Sequence, residues 1–131
     1  MSASLPLLDS NALCALAKRS AAVTASCDCT QAVTAGWVST PLSFPEHLLQ
    51  DIGTLLADPY DEPSFKEYHP AGTRYESPEA PIAPQHFPYN RCQVAVCTHC
   101  GRHYLRYTEA GGYFVDRRLR ALYRADLVVD A

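Results

Sequence analysis

Cysteine is the residue type here with the most chemistry to offer, and it stands at positions 14, 27, 29, 92, 97 and 100. Four of the six form two close pairs, Cys27-Asp28-Cys29 and Cys97-Thr98-His99-Cys100. Residues i and i+2 of an extended segment face the same side, so Cys27 and Cys29 can present both sulfurs to one point. Two cysteines three apart on a tight turn can likewise reach one tetrahedral ion, with Zn–S bonds of about 2.3 Å. The expectation is a metal site of Cys27, Cys29, Cys97 and Cys100 holding Zn2+. Four protein sulfurs leave no open coordination position, so such a site is structural rather than catalytic. Cys92, His99 and His103 are the alternative ligands within reach in sequence. Two other chemistries compete. Six cysteines can make three disulfides in an oxidising compartment. Cys97 and Cys100 can also act as an exchangeable dithiol. Dithiol motifs of that kind open a helix, however, whereas Gly101 leads into strand-like residues.

Cys97-Thr98-His99-Cys100-Gly101 between two strand-like runs resembles the knuckles of the zinc-ribbon family, over Val94 to Thr108. The glycine after the second cysteine relieves the turn and lets backbone N–H groups approach the sulfurs. Thr98 stands where proline is common, and 67 residues separate Cys29 from Cys97, so a simple ribbon is not expected. Trp37 to Arg102 also resembles small uncharacterised bacterial proteins, a likeness that implies no activity. Zinc ribbons often bind nucleic acid, which makes Arg102, Tyr104, Arg106 and Tyr107 candidates for phosphate and stacking contacts.

A second reactive set is Glu67, His69, Arg74 and Tyr75, in EYHPAGTRY. A His–Glu pair can do acid–base work if a pocket forms around it. No nucleophile elbow, phosphate loop or H-E-x-x-H motif accompanies it. Catalytic residues are therefore not assigned.

The elements that must position these groups are read from periodicity and punctuation. Apolar residues at 47% and charged residues at 19% describe a globular chain. Residues 1–131 are expected to form a single zinc-stabilised domain. Leu13, Leu16, Ala17 and Ser20 recur at helical spacing behind Asp9 or Ser10 as cap, predicting a helix over residues 5–25. Residues 31–40 read as a strand. Ser43 and Glu46 match a capping box, and Leu48, Leu49, Ile52, Leu55 and Leu56 predict a second helix over residues 45–57. Seven prolines interleaved with aromatic residues mark 59–88 as an extended wrap, with short strands at 65–68 and 72–75. Strands are expected at 92–96, 102–108 and 113–115, with a turn at Glu109-Ala110-Gly111-Gly112. Asp116 to Arg124 reads as a C-terminal helix burying Val115, Leu119, Leu122 and Tyr123, followed by a short strand at 127–129. The fold class expected is α+β: a small antiparallel sheet carrying the knuckle, two N-terminal helices, the wrap and a C-terminal helix.

Charge is uneven along the chain. Residues 1–90 carry four basic and ten acidic side chains, and residues 91–131 carry seven arginines and four acids. Either the two parts complement each other internally or the second offers a basic patch to a partner. No apolar run approaches the roughly 20 residues that span a bilayer. No basic residue precedes the apolar start, and Lys18-Arg19 interrupts it, so a cytoplasmic protein is expected. The function expected is a small zinc-binding adaptor with a protein partner. The alternatives are a nucleic-acid-binding ribbon protein and a small enzyme using Glu67 and His69.

Overall fold

The computed structural model describes residues 5–31, 34–111 and 114–131. Among them are one α-helix, α1 (Ser10–Ala21), and five strands: β1 (Val38–Ser39), β2 (Leu49–Thr54), β3 (Gln93–Cys97), β4 (His103–Gly111) and β5 (Phe114–Leu122). The strands make one antiparallel sheet in the order β1-β5-β4-β3-β2. Val33, Gly112 and Tyr113, which belong to the expected strands and turn, lie outside the described residues.

The first helix is where its cap puts it. Asp9 Oδ1 accepts the Ala12 N–H at 2.8 Å, and Lys18 and Arg19 sit in the last turn against the negative end of the helix dipole. Leu13, Ala17 and Ser20 form the buried stripe. The helix stops at Ala21 rather than at residue 25. Val23 and Thr24 are β-branched, with low helix propensity, and the carbonyls of Val23 and Ala25 are taken by the Arg102 guanidinium, at 3.2 and 2.8 Å.

The second N-terminal helix and the C-terminal helix do not form; both segments are strands. Residues 46–48 make one 3-10 turn, and Leu49–Thr54 then pairs with β3. Glu46 does not close a capping box, because its carboxylate meets Arg117 at 2.8 Å. A bulge between Asp51 and Gly53 resets the register, so leucine spacing that fits a helix also fits this bent strand. Gly53 lets Leu8 lie on the strand, since a Cβ there would stand 2.5 Å from Leu8 Cδ1. Leu8 N–H then bonds to the Thr54 carbonyl at 2.9 Å.

A helix over Asp116 to Arg124 requires its arginines to share a solvent face. In β5 they alternate instead. Arg118, Arg120 and Leu122 point to one side of the sheet, opposite Tyr107, Leu105 and His103 of β4, while Leu119 and Ala121 point to the other. Nine consecutive residue pairs between β4 and β5 outweigh local helix propensity. The strand at 92–96 is observed as β3, and that at 102–108 as the first part of β4. Among the described residues of 31–40 the strand is limited to β1, and Glu109 to Gly111, expected in a turn, continue β4.

Both faces of the sheet are covered. One carries α1 and the wrap, with Leu13, Trp37, Leu55, Ile82, Cys92, Val94, Leu105 and Leu122 at its centre. The expected strands at 65–68 and 72–75 are not formed, and the wrap is held by rings instead. Trp37 stacks on Tyr75 at 6.1 Å and meets Tyr107 edge-on at 5.1 Å. Ile82 makes a single parallel bridge to Val128, where the short C-terminal strand was expected. The opposite face holds Cys29, Phe44, Leu49, Ala95, Cys97, Tyr104 and Leu119. No helix among the described residues is long and apolar enough to cross a membrane.

Candidate metal centre

The four sulfurs of Cys27, Cys29, Cys97 and Cys100 all lie within 4.8 Å of one another. Cys27 Sγ is 3.7 Å from Cys97 Sγ, and Cys29 Sγ is 3.5 Å from Cys100 Sγ. A tetrahedral ion with metal–sulfur bonds of about 2.3 Å has S···S edges of about 3.8 Å. A disulfide needs about 2.05 Å, and all six cysteines are free thiols. The donor set and its spacing fit one tetrahedral metal ion.

The two halves reach this point by different local devices. β3 ends at Cys97, the turn Thr98–Cys100 follows, and Gly101 carries the chain back at φ +88°, a conformation that favours glycine. Gly101 N–H closes the turn on the Cys97 carbonyl at 2.8 Å, and Cys97 N–H bonds to the Arg102 carbonyl at 2.7 Å. Thr98 ties the knuckle down by donating both its N–H (2.7 Å) and its hydroxyl (2.9 Å) to the Leu48 carbonyl. At the other half, only Cys27 is extended (φ −153°, ψ 146°), and Asp28–Thr30 form a 3-10 turn. The pair converges because this turn folds Cys29 back, with Thr30 N–H and Oγ1 both donating to the Cys27 carbonyl. Arg102 positions the incoming loop through the Val23 and Ala25 carbonyls.

Surroundings set the character of each sulfur. Burial pushes the Cys97 thiol up in pKa, while the backbone N–H groups of Cys100 and His99 pull the other way. Burial also raises the Cys29 thiol, against the donating hydroxyl of Tyr104. Cys27, half-buried, is drawn down to about 6, chiefly by the backbone N–H of Cys29. Burial thus opposes ionisation of Cys29 and Cys97 beside a Cys27 that ionises readily. A cation that displaces their protons resolves the conflict.

Tyr104 is the closest supporting side chain: its hydroxyl lies 3.0 Å from the Cys29 carbonyl and 3.2 Å from Cys29 Sγ. Phe44 packs edge-on against its ring at 6.0 Å, and Leu49 and Leu119 complete an apolar jacket. The ribbon resemblance offers Tyr104 and Arg102 to nucleic acid. Both bond to the segment that carries Cys27 and Cys29, Tyr104 to Cys29 itself and Arg102 to the carbonyls of Val23 and Ala25, and the period-two placement of Tyr104 opposite Ala95 was the available signal.

Of the alternative ligands, Cys92 and His103 fall elsewhere. Cys92 is fully buried in the other core and donates to the Pro88 carbonyl at 3.2 Å. His103 lies toward α1, its N–H on Ser20 Oγ at 3.0 Å, and burial and the neighbouring Arg19 lower the pKa of its imidazole. His99 Nδ1 is 3.3 Å from Cys27 Sγ, a hydrogen bond at the rim of the cluster.

Glu67 and His69 do meet, at 2.7 Å through Nε2, and Nδ1 is 2.7 Å from Thr73 Oγ1, a partner not anticipated from sequence. Both imidazole nitrogens are thus engaged across one turn, with Gly72 N–H closing on the His69 carbonyl at 3.1 Å. None of the three clefts described for the protein is lined by them. Arg74 and Tyr75 do not join this set: Tyr75 faces Tyr107 Oη, and Arg74 is exposed.

No protein-family model, curated protein or solved structure matches the chain.

Proposed function

We propose that this chain is a protein-interaction module whose fold is closed by one structural zinc ion, held by Cys27, Cys29, Cys97 and Cys100. The observation that carries the reading is the convergence of four protein sulfurs from opposite ends of the chain to within 4.8 Å. All four tetrahedral positions are then filled, and no site remains for water or substrate. A four-thiolate tetrahedron suits zinc or iron, and the closed, redox-silent choice is zinc. Elemental analysis tests this directly. One zinc per chain is expected in the wild type and in Cys92→Ser, and none in Cys29→Ser. Full zinc occupancy in Cys29→Ser, or iron in place of zinc, would sink the assignment.

Tyr104 supplies a finer test, because hydroxyls that orient a ligand commonly contribute about tenfold or more to metal affinity. Tyr104→Phe keeps the ring against Phe44 and removes only the donor to Cys29. Competition with a chromophoric chelator should show zinc held about tenfold more weakly. Unchanged affinity would make Tyr104 a packing residue alone.

Interaction with a protein rather than nucleic acid is supported by where the arginines go. Arg106 pairs with Asp51, Arg117 with Glu46, Arg118 with Glu109 and Asp116, and Arg124 with Asp126. Arg91 and Arg102 donate to backbone carbonyls, and Arg120 is buried. The positive C-terminal part therefore spends its charge on the chain itself. Large aromatic groups are exposed in the wrap instead, Tyr60 at 97% and one side of the Phe65 ring, at 61% exposure.

A further inference from the structure

Where β2 ends and the wrap begins, Leu55, Leu56, Pro63 and Pro84 floor a groove of about 320 Å³. Its rim carries Asp58, Asp61 and Glu62. The groove is built rigidly. Leu55 N–H bonds to the Cys92 carbonyl at 2.9 Å. Asn90 and Arg91 donate to the Ser64 carbonyl at 2.8 and 3.0 Å, and Arg91 also reaches the Pro63 carbonyl. Tyr60 N–H is held by Asp58 Oδ1 at 2.9 Å, which fixes the loop that carries the rim.

The rim acids differ from those on the sheet. Glu46, Asp51, Glu109 and Asp116 each have an arginine partner, whereas among the described residues none of the three rim acids has an ion pair. No lysine, arginine or histidine lines the groove. The nearby Arg91 guanidinium lies over the rings of Phe65 and Phe87, at 4.3 and 4.7 Å, and gives its hydrogen bonds to the Pro63 and Ser64 carbonyls rather than to a rim carboxylate. Three of the ten acids of the first 90 residues are thus left without an ion pair beside a concave apolar floor.

We infer that this groove docks a segment of a protein partner in which an apolar anchor is flanked by lysines or arginines. The inference rests on the interaction-module reading and names the chemistry of the partner. The floor removes the anchor from water, and the three acids meet cations on either side of it. The volume lies at the small end of the range of about 300–1,000 Å³ for ligand clefts, which suits a short anchor. The same unpaired acids repel nucleic acid and acidic segments.

The test selects peptides from a random display library on the zinc-loaded full chain and measures the best of them by fluorescence anisotropy. Enriched peptides should carry two or more Lys or Arg around an apolar residue, and should weaken between about 50 and about 200 mM salt. Their amide shift perturbations should fall on residues 55–64 and 84–90. The Asp58→Asn/Asp61→Asn/Glu62→Gln variant keeps the oxygen acceptor for Tyr60 N–H and should keep its zinc and melting temperature. It should bind the peptides about tenfold more weakly, as expected when three exposed charges are neutralised together. Peptides without basic residues, or equal affinity for the variant, would overturn the inference. Perturbations confined to another surface would remove the groove and leave the interaction module standing. A selection that enriches nothing would count against both.

Discussion

Removing the proposed zinc ion with excess chelator at neutral pH should abolish the cooperative thermal transition of this protein, and adding zinc back should restore it. Structural zinc contributes about 10–16 kcal/mol in small sites near pH 7, as much as the whole of a typical domain's stability of about 5–15 kcal/mol. The consequence is global because the site joins distant parts of the chain. Cys27 and Cys29 follow α1, while Cys97 and Cys100 bracket the β3–β4 turn. Without an ion, the loop after α1 is held to β4 by the Arg102 hydrogen bonds to Val23 and Ala25 and by the Tyr104 hydroxyl. Those bonds are worth about 1 kcal/mol each. They cannot compensate for four sulfurs left crowded within 4.8 Å. Loss should begin on the face with Phe44, Leu49 and Leu119, whose jacket surrounds the cluster, and hydrogen exchange should report it first at the β3–β4 turn. The measurement is circular dichroism against temperature on protein shown to be metal-free by elemental analysis. An unchanged melt in that sample would mean the cluster is not what closes the fold.

The parts of the structure legible from the sequence are those whose chemistry is local. C-x-x-C-G between strand-like runs contains its own turn, its own glycine and its own pair of donors, and it is found where expected. Asp9 as a helix cap is likewise a matter of a few residues. The convergence of the two cysteine pairs was legible because sulfur at such spacings has few other uses. The segments where expectation and structure part are those whose outcome is decided at a distance. Leu48 to Leu56 satisfies a helical stripe and a bulged strand equally well, and contact with β3 and Leu8 chooses between them. Arg117, Arg120 and Arg124 look like one solvated helix face until their partners are known. Those partners are Glu46, carbonyls of the wrap and Asp126, and all but the last lie more than 30 residues away. Periodicity measures only whether a side chain is apolar. It cannot register an arginine whose terminal nitrogens are met by a tyrosine hydroxyl and backbone carbonyls from elsewhere.

Arg120 is the clearest such residue, and Arg120→Met should lower stability by roughly 3 kcal/mol without changing zinc content. Its side chain is 1% exposed and lies on the face of the sheet opposite the cysteines. The guanidinium donates to the Tyr89 hydroxyl and to the carbonyls of Pro78 and Ala80, at 3.2 and 3.0 Å for the latter two. Among the described residues no carboxylate stands within ion-pair distance of it. A buried cation without a counter-ion is costly, so replacing it could in principle stabilise the fold. The balance tips the other way because its partners are backbone atoms that no substitution can make apolar. Tyr89 retains the Trp37 N–H at 3.3 Å, but the Pro78 and Ala80 carbonyls lose the donor that fastens the wrap to β5. Leaving buried acceptors unpaired costs about 1–3 kcal/mol each. Arg120→Lys should recover part of the loss, since one ammonium keeps the charge but not the planar fork that spans three acceptors. Arg117→Met is the control, an exposed pair whose removal should stay within about 1 kcal/mol. Urea denaturation of the zinc-loaded variants measures all three, and limited proteolysis at residues 78–80 should be faster in Arg120→Met alone. Wild-type stability in that variant would show that the buried charge costs as much as its three hydrogen bonds return.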